Sequence, residues 1–297
     1  MSVASAAVAA QAKVNLFLHV LAREASGYHQ LETLFCRLAL ADDVGIRVAS
    51  GWNIDCAGAD TGPSESNLAY RAARLYATER GWPSGCAIEI QKRIPVGGGL
   101  GGGSADAGAV LRCLRALDPH PPPLPALLAW AAQLGADVPA LTMETPLVLG
   151  HGRGDRLLAL RPLPVRAVML YVPAAPVATG DAYAWLAESR QAHAAPPSRG
   201  AGALDARELE RWPSIIRLMS NDFSAIVGQH HPEIMDMTGR LRTVPGAAAS
   251  LMSGSGSTIF CLFDGPIPNP WPLRAPAGGA FVATATADHV VEVRRIE

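Results

Sequence analysis

Apolar residues recur along the chain with two different periods, which predict a mixture of strands and helices. Apolar runs favour strands over 14–22, 44–48, 86–91, 146–150, 165–172 and 259–263, and over a stretch that ends near Leu40. Apolar positions three and four residues apart favour helices over 68–80, 106–117 and 124–134.

Polar and helix-breaking residues mark the ends of these elements. Ser66 or Asn67 is suited to N-cap the first helix, and Gly135 is suited to end the third. The pair Asp42 and Asp43 predicts a turn between the strand that ends near Leu40 and the next one.

Three later segments lack a periodic pattern. Residues 187–211 are rich in Ala, Arg, Ser and Pro, so we expect a mobile surface segment. Glycine and serine within 246–258 predict a loop between a helix and the strand at 259–263. Four prolines within 265–272 exclude a helix there, because proline lacks the N–H that a helix needs.

A glycine-rich stretch, which we call the phosphate loop (residues 95–104), precedes the second helix. It holds six glycines in seven positions. Glycine can adopt positive φ, so successive N–H groups can converge on an anion, and the following helix adds its unsatisfied first-turn donors. The stretch therefore predicts phosphate binding, and a flexible linker is the alternative interpretation.

Neighbouring residues distinguish three kinds of glycine-rich loop. A P-loop requires Lys before Ser or Thr, and here Ser104 follows glycine without a lysine. The dinucleotide pattern is met by Gly97, Gly99 and Gly102, but its acidic partner would be Asp118, which lies in a proline-rich loop. The spacing from Pro95 to Ser104 instead resembles the phosphate loop of the GHMP kinases, which phosphorylate small alcohols.

Composition restricts the function class further. The formal net charge of −1 over 297 residues suggests neither a nucleic-acid nor a membrane surface. Five widely spaced cysteines without a C-x-x-C pair favour core thiols and a reducing compartment. Residues 1–12 lack the basic segment of a signal peptide, and no apolar run is long enough for a membrane helix, so we expect a soluble, cytoplasmic protein.

Two charged residues have simpler interpretations when taken alone. Lys13 could cap a strand edge, and Asp137 could N-cap the turn that follows it. Together with a phosphate loop they become a candidate pair for phosphoryl transfer. Lys92 is equally compatible with a solvated charge at a strand end and with a nucleotide contact.

The motif order resembles one branch of the GHMP kinases over nearly the whole chain. The motifs lie at 12–18, 27–29, 95–104, 134–139 and 253–258. In that branch the alcohol carries a cytidine diphosphate, and ATP phosphorylates its 2-hydroxyl in the non-mevalonate isoprenoid pathway. The resemblance implies a two-domain α+β fold, with an ATP-binding domain over 1–162, a substrate-side domain over 163–297 and the active site in the cleft between them.

The resemblance also implies roles for individual residues. Asp137 is the expected base and Lys13 its partner. Tyr28 and Tyr183 are expected to sandwich the cytosine, with His29 at its polar edge. The full expected substrate set is Asn15, Tyr28, His29, Phe35, Thr179 and Tyr183, and the expected ATP set is Asn67, Leu68, Lys92, Pro95, Gly97, Gly98, Gly99, Leu100, Gly101, Gly102, Gly103 and Ser104.

ATP is the implied co-substrate, accompanied by Mg²⁺, for which the sequence assigns no protein ligand. Ala105 stands where relatives more often have a second serine. Three alternatives stay open at this point. They are a GHMP kinase for a mevalonate- or homoserine-type alcohol, a GHMP-fold protein that binds nucleotide without transfer, and a nicotinamide oxidoreductase. The sequence leaves the oligomeric state undetermined.

Overall fold

The computed structural model describes residues 4–23, 29–192 and 205–296. Its strands are β1 (Ser5–Arg23), β2 (His29–Val48), β3 (Asn53–Ala57), β4 (Cys86–Gln91), β5 (Leu147–Gly152), β6 (Arg156–Leu160), β7 (Ala167–Val172), β8 (Ser220–Asn221), β9 (Ala247–Met252), β10 (Ile259–Phe263), β11 (Ala280–Ala285) and β12 (Arg294–Ile296). Its α-helices are α1 (Leu68–Arg80), α2 (Gly102–Leu117), α3 (Leu124–Leu134), α4 (Val138–Thr142), α5 (Thr179–Ala192), α6 (Trp212–Leu218), α7 (Phe223–His230) and α8 (Pro232–Arg242). The predicted α+β class is confirmed.

A large sheet is organised around the long antiparallel pair β1 and β2. Five of its strands are paired in the order β12-β1-β2-β4-β3. Elsewhere along the two long strands, β5 pairs with β2 and with β6, and β8 pairs with β1. β8 is parallel to β1 beside Phe17 and Leu18, whereas β12 pairs with the opposite end of β1. Residues from both ends of the chain therefore build this sheet.

The second sheet is antiparallel, in the order β11-β7-β10-β9, and it separates two cores. On β10, Phe260 and Leu262 face the core shared with the large sheet and with α1 to α3. Ile259, Cys261 and Phe263 alternate with them and face the core under α5, α7 and α8. Both faces of β10 are buried, which explains its unbroken apolar sequence.

Most predicted elements are confirmed, including the strand at Cys86–Gln91 and the helix at Leu124–Leu134. The 265–272 stretch is not helical, as expected. All five cysteines are free thiols, and four of them are buried. The predicted domain boundary at 162/163 falls between β6 and β7 and stays a prediction. None of the described helices is long and apolar enough to cross a bilayer.

Three predictions are wrong. No turn interrupts β2 at Asp42, because the buried Asp42 carboxylate accepts backbone N–H bonds from Arg93 and Ile94 instead of closing a turn. The 253–258 loop follows a strand, β9, and not a helix. The segment predicted as mobile begins inside α5, which continues to Ala192, and residues 193–204 of that segment lie outside the described part of the chain.

Candidate active site

A cleft of about 600 Å³ opens between the phosphate loop, the middle of β1 and β2, and the first turns of α4 and α5. All twelve residues predicted to bind ATP line this cleft, and so do Lys13 and Asp137. Of the predicted substrate residues, four line it: Asn15, Phe35, Thr179 and Tyr183. The structure thus brings the whole ATP set and four of the six substrate residues into one cavity, which His29 does not line.

The phosphate loop joins β4 to α2 and requires glycine where it meets another loop. Gly99 has a φ of +75°, and a Cβ there would lie 2.3 Å from the carbonyl oxygen of Ser253. Ser253 Oγ donates to the Gly99 carbonyl at 3.0 Å, and the Thr258 N–H donates to the Gly98 carbonyl at 3.2 Å. These two carbonyls are therefore hydrogen-bonded to the 253–258 loop. This arrangement favours a phosphate loop whose N–H groups face the cleft.

Lys13 is buried in the interior of β1 and is not a strand-edge cap. Its Nζ lies 3.1 Å from Asp137 Oδ2, donates to Asn15 Oδ1 at 2.7 Å, and is 5.8 Å from the centre of the Phe35 ring. Asn15 is itself held, because its Nδ2 donates to Thr33 Oγ1 at 2.8 Å. This chain of contacts fixes the direction of the ammonium group.

Asp137 occupies the N-cap position of α4, but its side chain makes no capping bond to that helix. Its carboxylate pairs with Lys13 and is 32% exposed toward the cleft, whereas the lysine side chain is 3% exposed. The simple capping interpretation of Asp137 is therefore wrong. The geometry leaves a carboxylate facing the cavity with a buried cation behind it.

Three aromatic rings meet at the other end of the cleft. The Tyr183 ring centre lies 4.9 Å from that of His29 and 4.8 Å from that of Phe223. Burial, and secondarily the charge of Asp137, raises the pKa of Tyr183 to about 12, so the phenol stays neutral. His29 packs on Tyr183, which lines the cavity. Tyr28 lies outside the described residues.

Two polar residues that line the cleft, Thr179 and Asn67, form hydrogen bonds with neighbouring segments. Thr179, at the start of α5, lies with its Oγ1 3.0 Å from Ser255 Oγ, which joins α5 to the 253–258 loop. Of the two predicted N-caps of α1, Ser66 and Asn67, the structure selects Asn67, whose Oδ1 accepts the Ala69 N–H at 2.9 Å. Its Nδ2 donates to Thr61 Oγ1 at 3.2 Å.

Lys92 is buried beneath the phosphate loop, so the interpretation as a solvated charge is wrong. Its Nζ donates to Asp42 Oδ2 at 2.5 Å and to Asp106 Oδ2 at 2.7 Å. Burial lowers the pKa of Lys92, but the two carboxylates outweigh this effect and raise it. Burial raises the pKa of Asp106 to about 7. We call these three residues the buried triad.

Sequence reasoning missed two members of the buried triad, and the structure shows how Asn221 supports the 253–258 loop. Asp42 was assigned to a turn, and Asp106 was treated only as the start of a helix. Asn221 Nδ2 donates to the carbonyls of Met252 and Gly254 at 2.9 and 2.8 Å, which ties β8 to the 253–258 loop. Only the strand register reveals the position of Asp42: Asp43 lies opposite Gln91, the last residue of β4, so Asp42 meets the residues that follow that strand.

Known proteins resemble this chain over most of its length. The family described as GHMP kinases N terminal domain matches residues 67–145, and the family described as GHMP kinases C terminal matches residues 202–268. A 4-diphosphocytidyl-2-C-methyl-D-erythritol kinase of Anaeromyxobacter sp. (strain K) is 39% identical over 280 residues, which cover 92% of this chain and 83% of that protein. A Deinococcus radiodurans protein of the same name is 37% identical over 254 residues, covering 85% and 82% of the two chains.

Solved structures agree in fold. A crystal structure of 4-(cytidine 5'-diphospho)-2C-methyl-D-erythritol kinase superposes with a TM-score of 0.74 and 33% identity, covering 94% of this chain and 98% of that one. Homoserine kinase from Cytophaga hutchinsonii superposes with a TM-score of 0.61 at 17% identity, covering 98% and 97%. The second likeness concerns the fold alone.

Proposed function

Since the chain belongs to the 4-diphosphocytidyl-2-C-methyl-D-erythritol kinases within the GHMP kinases, we propose that it transfers the γ-phosphoryl group of ATP to the 2-hydroxyl of 4-diphosphocytidyl-2-C-methyl-D-erythritol. This reaction belongs to the non-mevalonate route to isoprenoids. MgATP is the proposed co-substrate, with the nucleotide phosphates and water supplying most of the Mg²⁺ ligands.

The observation that carries this proposal is the Lys13–Asp137 pair, 3.1 Å apart in the same cleft as the phosphate loop. Phosphoryl transfer proceeds through a loose transition state, so the protein mainly positions the reactants and stabilises negative charge. The loop N–H groups and the start of α2 are suited to the β- and γ-phosphates. A protein that only binds nucleotide needs neither Lys13 nor Asp137.

The proposed chemistry uses groups on both sides of the cleft. The substrate hydroxyl oxygen attacks the γ-phosphorus, the bond from that phosphorus to the bridging oxygen breaks, and ADP leaves. Asp137 accepts the hydroxyl proton, while Lys13 holds the carboxylate in place. Tyr183, packed against His29 and Phe223, offers a stacking surface for the cytosine.

Release of ADP by the purified protein tests this proposal. The assay contains MgATP with 4-diphosphocytidyl-2-C-methyl-D-erythritol, mevalonate, homoserine or no alcohol. We expect turnover only with the cytidylyl alcohol, at about 1 to 100 per second. Turnover with another alcohol would contradict the substrate, and nucleotide binding without any turnover would favour the non-catalytic alternative. The expected cytoplasmic location stays a prediction.

A further inference from the structure

Two cations on neighbouring strands hold opposite ends of α4. Lys13 on β1 is directly opposite Arg37 on β2 in the strand register, so both side chains leave the same face of the sheet. Lys13 contacts Asp137, the residue before the first turn of α4. Arg37 instead contacts the last turn of the same helix. The strand pair thus sets the position of α4 at both ends.

Arg37 makes its contacts through one nitrogen. Its Nη2 donates to the carbonyls of Leu141 at 2.7 Å and Met143 at 2.8 Å, and lies 3.4 Å from that of Ala140. The residue is only 3% exposed. Burial, with a contribution from Arg112, lowers the pKa of Arg37 to about 9, which still leaves it charged at neutral pH. A cation at this end of a helix satisfies its last carbonyls and its dipole.

The helix needs this support because it is short. α4 has five residues, fewer than an isolated helix requires in water. On its other side, α2 approaches so closely that a Cβ on Gly108 would lie 2.6 Å from the Leu141 carbonyl oxygen. Arg37 and Gly108 therefore define where the end of α4 can lie. Asp137 directly precedes α4, and its carbonyl accepts the Leu141 N–H at 3.1 Å, so a displacement of the helix should move the carboxylate.

We propose that Arg37 is a positioning residue, which anchors the C-terminal end of α4 and so holds the Asp137 carboxylate against Lys13 and toward the reacting hydroxyl. Arg37 itself touches no reactant in this scheme. The inference rests on the proposed function, because it takes Asp137 as the base.

The first test compares Arg37→Gln and Arg37→Lys with Arg166→Gln. Arg166 is a matched control, mostly buried and donating to Asp264 and to the Phe263 carbonyl, away from the cleft. A displacement of about 1 Å can reduce turnover on the order of 100-fold. We expect Arg37→Gln to lower kcat at least about tenfold with an unchanged KM for ATP. Arg37→Lys should recover part of kcat, and Arg166→Gln should lower the melting temperature only.

The second test approaches the same helix from α2. Gly108→Ala keeps Arg37 but pushes on the Leu141 carbonyl that Arg37 holds, so it should also lower kcat while leaving the KM for ATP unchanged. If Arg37→Gln does not fold, this variant still tests whether a displaced end of α4 lowers kcat. Folded Arg37 and Gly108 variants with wild-type kcat would overturn the inference. A wild-type protein without turnover on the cytidylyl alcohol would instead contradict the proposed function, and the two failures are thereby distinguished.

Discussion

The carboxylate of Asp137 lies 3.1 Å from the ammonium group of Lys13, yet the aspartate side chain is ten times more exposed than the lysine, at 32% against 3%. The lysine therefore contacts the carboxylate from the protein interior. In the proposed reaction Lys13, buried between Asn15, Phe35 and Asp137, would hold the carboxylate while the other side of the carboxylate faces the substrate.

Replacement of Asp137 by asparagine should abolish most of the turnover. The amide keeps the shape of the side chain but cannot accept the hydroxyl proton, and general base catalysis contributes about 100- to 10,000-fold. We expect kcat to fall within that range and both KM values to change little. Steady-state kinetics of Asp137→Asn and of Asp236→Asn, an exposed control on α8, provide the measurement. Retention of more than about a tenth of kcat would contradict the base role.

Tyr183 should control affinity for the cytidine end of the substrate. Stacking on a base contributes about 1 to 3 kcal/mol, so Tyr183→Ala should raise the KM for the cytidylyl alcohol about 5- to 150-fold. Tyr183→Phe keeps the ring and should behave nearly as wild type, and neither variant should alter the KM for ATP. His29→Ala should raise the same KM, since His29 packs on Tyr183. Equal effects on both KM values would indicate a general disturbance of the cleft.

Gly99 should tolerate no side chain. In Gly99→Ala the new Cβ would overlap the Ser253 carbonyl oxygen at 2.3 Å, and the residue would have to keep a φ of +75°. We expect the KM for ATP to rise at least about tenfold and the melting temperature to fall. Gly239→Ala, within α8 and free of neighbours within 4 Å, should instead stabilise the protein by about 0.5 to 1 kcal/mol. ATP titration and thermal unfolding of both variants test this contrast.

The buried triad should make stability depend on pH. The pKa of Asp106 is raised from 3.8 to about 7, so between these values the folded chain holds a proton that the unfolded chain has lost. The contribution of Asp106 to the free energy of unfolding should therefore decrease as pH rises from about 4 to 7. Asp106→Asn should flatten this part of the profile, whereas Asp55→Asn on the exposed side of β3 should not. Denaturant unfolding at pH 5 and pH 8 gives the comparison, and parallel profiles for wild type and Asp106→Asn would contradict it.

Local signals predicted most of the elements. Helix α1 begins at Leu68 because Asn67 caps it, and β4 has the predicted bounds because buried and exposed positions alternate along it. The phosphate loop was predictable for a similar reason, since its backbone needs positive φ at several positions, which glycine adopts readily. These features depend on residues close together in sequence.

Features that depend on distant residues were not predictable in the same way. Asp42 looks like a turn residue until β4 brings Lys92 beside it, 50 residues later. β9 is short and rich in alanine, so its sequence carries little strand preference, and its pairing with β10 decides its conformation. The anchoring of α4 by Arg37 likewise spans about a hundred residues. The proposed roles of Asp137 and of the substrate residues depend on the family resemblance, whereas the contacts of Asp42, Asp106 and Arg37 are visible only in the structure.

Because Ser253 and Thr258 donate hydrogen bonds to the carbonyls of Gly99 and Gly98, the proposed nucleotide affinity of the phosphate loop should depend on both halves of the chain. The phosphate loop comes from one half of the sequence, and the groups that occupy its carbonyls come from the other. Binding of ATP and association of the phosphate loop with the 253–258 loop should therefore be linked equilibria, in which each favours the other.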